Sequence, residues 1–180
     1  MKRKLLSALL ATAMTMTVVA GTGIAVSADG EAVVSTVMFS DPDTMDPGRA
    51  DDDQKNSIVL ECQETLVRLI DGKLTNAGAE SYETSDDGLV WTFHLRDNKY
   101  SDGTPVVAED YVNSIRRVFD PEVNCHNAGI FYCIAGGEAF NTGSGAKEDV
   151  GAKAIDDKTL EITLTEPIPY FPQLLTFANI

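Results

Sequence analysis

The chain has 180 residues, 43% of them hydrophobic and 23% charged, which are the proportions of a folded domain with its own core. Its formal charge of −14 repels phosphate backbones and anionic lipid headgroups, and so argues against nucleic acid as a partner. Lys2-Arg3-Lys4, an uncharged run from Leu5 to Ala28, and small residues at Val26-Ser27-Ala28 have the layout of a secretory signal over residues 1–28. A retained membrane anchor is the competing reading, since the run is long enough to span, but it is rich in Ala, Thr and Gly. Beyond it, 11 basic residues face 28 acidic ones, a balance of −17. No cysteine lies near the cleavage point, so a lipid-attached N-terminus is not indicated.

The apolar stretch Ala32 to Phe39 predicts a buried strand, ended by Asp41-Pro42. Met45-Asp46-Pro47-Gly48 reads as a turn-rich loop, followed by the acidic triplet Asp51-Asp52-Asp53. Ile58, Val59, Cys62, Leu66 and Leu69 recur at helical spacing, which predicts a helix from about Gln54 to Leu69. Its acidic start suits the positive end of the helix dipole. Asp71-Gly72 is a turn. Ser81 to Ser85 then leads through Asp86-Asp87-Gly88 into a strand whose Leu89, Trp91, Phe93 and Leu95 share one face, a hairpin. His94 falls on the opposite face and reads as a surface or half-buried structural histidine. Tyr100 to Pro105 is a loop, and Ala108 to Phe119 a helix with Val112, Ile115, Val118 and Phe119 on its apolar side. Asn141 to Gly145 reads as a flexible surface loop. Gly151 to Thr165 forms a second hairpin around Asp156-Asp157-Lys158, and a helix starts near Pro169.

Catalytic patterns are missing. No G-x-S-x-G is present, and Asn141-Thr-Gly-Ser-Gly lacks the Lys-Ser/Thr of a phosphate loop. Cys125 and His126 are sequence neighbours, which does not make a nucleophile and base. Cys62, Cys125 and Cys133 match no zinc spacing; Cys125 and Cys133 could pair after export, leaving Cys62 free. Neither a cofactor nor a metal ligand set is expected. The triplet Asp51–Asp53 lies between a strand and a helix, where binding groups are often displayed. One of these acids could receive a ligand ammonium group; the bland reading is a solvated acidic helix start.

One line is specific: Ser85-Asp-Asp-Gly-Leu-Val-Trp-Thr-Phe-His-Leu-Arg-Asp, then Tyr100-Ser-Asp-Gly-Thr-Pro-Val-Val-Ala-Glu-Asp-Tyr-Val. It resembles the signature region of the extracytoplasmic binding proteins of peptide ABC importers, the oligopeptide- and dipeptide-binding family. Met45-Asp46-Pro47, Glu64-Thr-Leu-Val, Ala79-Glu-Ser-Tyr, Val150 to Leu164 and Glu166-Pro-Ile-Pro-Tyr-Phe resemble further pieces in the same order. Val107 departs from the family's usual Thr or Ser, and so withholds a helix-capping hydroxyl.

The resemblance implies an α+β/α/β chain, the N-terminal part of a two-lobed periplasmic-binding-type fold with a small β-rich inserted domain and the second lobe absent. It implies residues 29–70 as the start of the first lobe, 71–165 as the inserted domain, and 166–180 as a return segment. The implied function is peptide capture outside the membrane and delivery to ABC permease subunits, with no chemistry of its own. Asp51 corresponds best to the family's ligand-contacting acid, with Asp53 two positions on, and Asn127 lies near another contact. The signature itself reads as scaffold. Nickel, haem or another small solute in place of peptide is the rival within the family; a secreted hydrolase or interaction domain is the rival outside it.

Overall fold

The computed structural model describes residues 24–26, 32–34, 41–50, 52–177 and 179. The chain divides into two compact units, 1–41 and 42–180. In the first, β1 (Ile24–Val26) pairs antiparallel with β2 (Ala32–Val34). β2 is the start of the strand expected over Ala32–Phe39; residues 35–39 lie outside the described ones, as does most of the run read as a leader. Among the described residues, no helix is long and apolar enough to cross a membrane.

The second unit opens with a short 3-10 turn, Pro47–Arg49, and α1 (Asp53–Cys62). The helix expected as far as Leu69 ends seven residues sooner. Gln63 is extended (φ −125, ψ 156), and the chain continues as β3 (Val67–Ile70), which pairs with β4 (Lys73–Asn76). Two forces override the helical spacing. Arg68 Nη2 donates to the Leu60 and Gln63 carbonyls at 2.8 and 2.6 Å, filling acceptors that a helix end leaves open. Asp71 and Gly72 both adopt positive φ, 50 and 73, the geometry of a two-residue hairpin turn. Leu69, counted as part of a buried stripe, is 60% exposed.

The main sheet has four antiparallel strands in the order β5-β6-β8-β7: β5 (Ala79–Thr84), β6 (Val90–Leu95), β7 (Ala152–Asp156) and β8 (Thr159–Thr163). Both predicted hairpins are present. Trp91, Phe93 and Leu95 are buried while Val90, Thr92 and His94 are half-exposed, so the period-two reading of β6 holds. His94 Nε2 lies 3.8 Å from Glu83 on the neighbouring strand. Ser85 and Asp87 lock the β5–β6 turn: Asp87 accepts from the Ser85 hydroxyl at 2.6 Å and from the Leu89 N–H at 3.1 Å, with Gly88 at φ 71.

α2 (Ala108–Val118) lays Val112, Ile115 and Val118 on β7 and β8. Asp110 accepts from the Val107 N–H at 2.9 Å, half of a capping box. Val107 returns no side-chain hydrogen bond. Val107→Thr should therefore raise the unfolding free energy by roughly 1 kcal/mol, seen as a higher urea midpoint at unchanged slope. No gain would mean that the first-turn amides are already satisfied.

Between α2 and β7 lie a 3-10 turn, Ala128–Phe131, and α3 (Gly137–Asn141). Asn141 belongs to that helix and is half-buried, its Nδ2 donating to the Phe119 carbonyl at 3.0 Å and its Oδ1 accepting from the Tyr132 hydroxyl at 2.7 Å. The segment expected as a flexible loop is thus a bonded helix end: the Ser144 and Gly145 N–H groups both donate to the Ala139 carbonyl at 2.8 Å. α4 (Phe171–Leu174) follows Pro169 as expected and packs Phe171 against Trp91, ring centroids 5.8 Å apart.

Candidate ligand-binding loop

The loop ahead of α1 is organised by its own side chains. Asp46 accepts from the Gly48 N–H at 3.0 Å and opens the 3-10 turn, and the Arg49 N–H donates to the Asp46 carbonyl at 2.9 Å. Arg117, in the last turn of α2, forks onto both Asp46 oxygens at 2.7 Å each. This hydrogen bond holds the Asp46 carboxyl below its ordinary 3.8, against burial and with help from the Gly48 amide, and the same bond raises Arg117. The sign follows. A depressed carboxyl stabilises the fold above its unfolded value and loses that contribution as pH falls through the folded one. Asp46→Asn should be less stable than the parent at neutral pH and show a shallower loss below pH 3.8. Parallel acid-unfolding curves would contradict this.

Asp52 sits at the α1 N-cap, accepting from the Gln54 and Lys55 N–H groups at 3.0 and 2.9 Å. Lys55 is buried at 8% exposure, and its ammonium meets Asp43 at 2.7 Å and Asp52 at 3.3 Å. The middle acid of the triplet is therefore a helix cap. Asp51 and the Asp53 side chain lie outside the described residues. Asn127 sits at the start of the Ala128–Phe131 turn, its Nδ2 donating to Asn179 Oδ1 at 3.1 Å. Asn179 in turn donates to the Pro47 carbonyl at 2.6 Å. The structure thus ties Asn127 to the loop that precedes Asp51. Sequence reasoning missed Arg117 and Asn179; their partners stand 71 and 132 positions away, and no local pattern marks them.

A groove of about 650 Å³ runs beside this loop, lined among others by Pro47, Glu64, Arg68, Asn98, Tyr100 and Tyr111. Glu64 is held there by Arg96, by Asn98 Nδ2 at 3.5 Å and by Arg68 Nε at 3.8 Å. Tyr111 lies under it, its hydroxyl 3.5 Å from the Glu64 carbonyl and its pKa pushed up to about 12, mainly by burial and then by the Glu64 charge. Glu64 is thus already paired with two protein cations, Arg96 and Arg68.

Among the described residues, no cysteine is prepared as a nucleophile. All three cysteines are free thiols. Burial raises Cys125 and Cys133, opposite to what a thiolate nucleophile needs. Among the described residues, no group of three or more His, Cys, Asp or Glu is set to hold a metal ion.

The four-stranded sheet with its packed helix lies within the residues that place the chain in the extracellular solute-binding class. Residues 73–180 match the family described as Bacterial extracellular solute-binding proteins, family 5 Middle, and the chain belongs to that family. It is 37% identical over 150 residues to the oligopeptide-binding protein OppA of Bacillus subtilis (strain 168), covering 82% of this chain and 28% of that one. It is also 37% identical over 145 residues to a probable deoxycholate-binding periplasmic protein, YgiS, of Escherichia coli (strain K12), covering 78% and 27%. The solved structure of Listeria monocytogenes OppA bound to peptide superposes with a TM-score of 0.72 at 39% identity, over 75% of this chain and 27% of that one. The chain therefore spans little more than a quarter of the length of the relatives it matches.

Proposed function

We propose that this chain is the ligand-capturing component of a peptide ABC importer, acting outside the cytoplasmic membrane and handing its cargo to permease subunits. It is a carrier rather than an enzyme and needs no cofactor. The observation that carries this reading is 37% identity to an oligopeptide-binding protein across 82% of the chain. The secretory layout of residues 1–28 supports export to the periplasm or the cell exterior. Residues 29–70 would open the first lobe and 71–165 form a small β-rich inserted domain, with 166–180 returning to the lobe. Peptide would lie extended, bonded largely through its backbone, a mode that tolerates many side chains.

Within this reading Asp51 receives the peptide's α-ammonium, Asp53 adds to the local negative field, and Asn127 borders the ligand. A buried charged hydrogen bond contributes about 1.5–3 kcal/mol. Asp51→Ala should therefore weaken binding of penta-alanine by about tenfold or more in isothermal titration of the protein expressed from its complete reading frame. Unchanged affinity would remove Asp51 from the site. A second reading, capture of an amphipathic small solute, is favoured by the equal identity to a probable deoxycholate-binding protein. Titration with deoxycholate separates the two: heat with the bile salt and none with peptides would replace the first reading by the second.

A further inference from the structure

Two side-chain systems from distant parts of the chain converge on the turn Pro47–Arg49. Arg117 forks onto Asp46, which caps the turn. Asn179 holds the Pro47 carbonyl and is itself held by Asn127. At 5% exposure, Asn179 has given up water for these partners, so the bonds replace hydration rather than add to it. We infer that Arg117 and the pair Asn127–Asn179 are positioning residues, holding the Asp46–Arg49 turn in one conformation for ligand binding. This rests on the reading of that loop as the ligand-binding one.

The turn has little else to hold it. Its internal bonds are Gly48 N–H to Asp46 Oδ1 at 3.0 Å, Arg49 N–H to the Asp46 carbonyl at 2.9 Å and Ala50 N–H to the Pro47 carbonyl at 3.3 Å. The apolar cluster next to it consists of Ala50 and Val59 with Leu60 packed against them, apart from the main core. A guanidinium fork fixes distance and plane together, which a single point charge does not. The fork also lies close over the backbone: a Cβ at Gly48 would come 2.8 Å from Arg117 Nη1 and 2.8 Å from Val123. Asn127, whatever else it touches, acts on the loop through Asn179 and Pro47.

The test is amide hydrogen exchange by NMR on the full chain, comparing Arg49 and Ala50 with the core amides of Phe93 and Leu160. Arg117→Gln and Asn179→Ala should each speed exchange at the loop amides by about tenfold more than at the core amides. Arg117→Lys should restore only part of the protection. Gly48→Ala provides a second route, displacing the fork without removing Arg117. Affinity for penta-alanine should fall in the same order across the variants. Equal acceleration of loop and core, or an unchanged loop, overturns the inference, because the bonds would then serve global stability alone. Normal penta-alanine affinity in variants with an unprotected loop overturns it as well. If the parent protein binds no penta-alanine while the loop-selective pattern appears, the peptide reading fails and the clamp stands.

Discussion

Phe93→Ala is expected to lower the unfolding free energy by about 3–5 kcal/mol. Phe93 has 0% exposure and lies in the centre of the sheet, opposite Tyr82 on β5 and Leu160 on β8. Its ring centroid is 5.6 Å from that of Tyr82. Strands on both sides prevent the backbone from collapsing into the space left behind, so the cavity cost adds to the lost transfer energy. Domains of this kind are stable by roughly 5–15 kcal/mol, so the loss is a large share of the total. Urea titration reads it directly, as a midpoint shift at constant slope. A loss under about 1 kcal/mol would mean that the site relaxes far more than a sheet centre should.

Gly136→Ala is the second severe change. Gly136 caps α3 at φ 72, ψ −10. A side chain in that left-handed region costs about 1–2 kcal/mol. The added methyl would also stand 2.2 Å from the Asp149 carbonyl oxygen, a backbone atom that cannot rotate away. Overpacking of this kind costs about 1–3 kcal/mol more. The Gly137 N–H bond to Ile134 and the Ala135–Gly151 bond lie beside the strained point, so α3 and the start of β7 should loosen together. Thermal unfolding should fall by several degrees, with exchange rising first at Gly137 and Gly151. A melting temperature equal to the parent's would show that the chain re-routes without cost.

The period-two strands were legible because alternation reports one buried face, and β6 and β8 each have one. α2 was legible for the same reason at helical period. The segment from Gln63 to Ile70 was not, because Leu66 and Leu69 fit a helix, and the Arg68 bonds with the paired positive φ of Asp71-Gly72 decide for a hairpin. The 121–141 region was opaque. Its burial is carried by single residues such as Phe131 and Ile134, which show no period. At the candidate site, the motif Met45-Asp46-Pro47 was visible but its mechanics were not. Asp46 acts through Arg117, and Pro47 through Asn179, and pairings across such distances are set by topology rather than by local pattern. Asp52, read as part of an acidic helix start, does cap the helix.

The order β5-β6-β8-β7 has a consequence for how this protein reaches its native state. β6 finds its first neighbour at once, through a tight turn, but its second neighbour arrives only with Thr159 to Thr163. Until then one edge of the central strand, carrying Trp91 and Phe93, stays open to any other extended segment. Closing a loop of that length is slow compared with forming a hairpin. A chain made N-terminus first would therefore hold a half-built sheet until β8 follows. Its yield at high expression should depend on how quickly β8 follows.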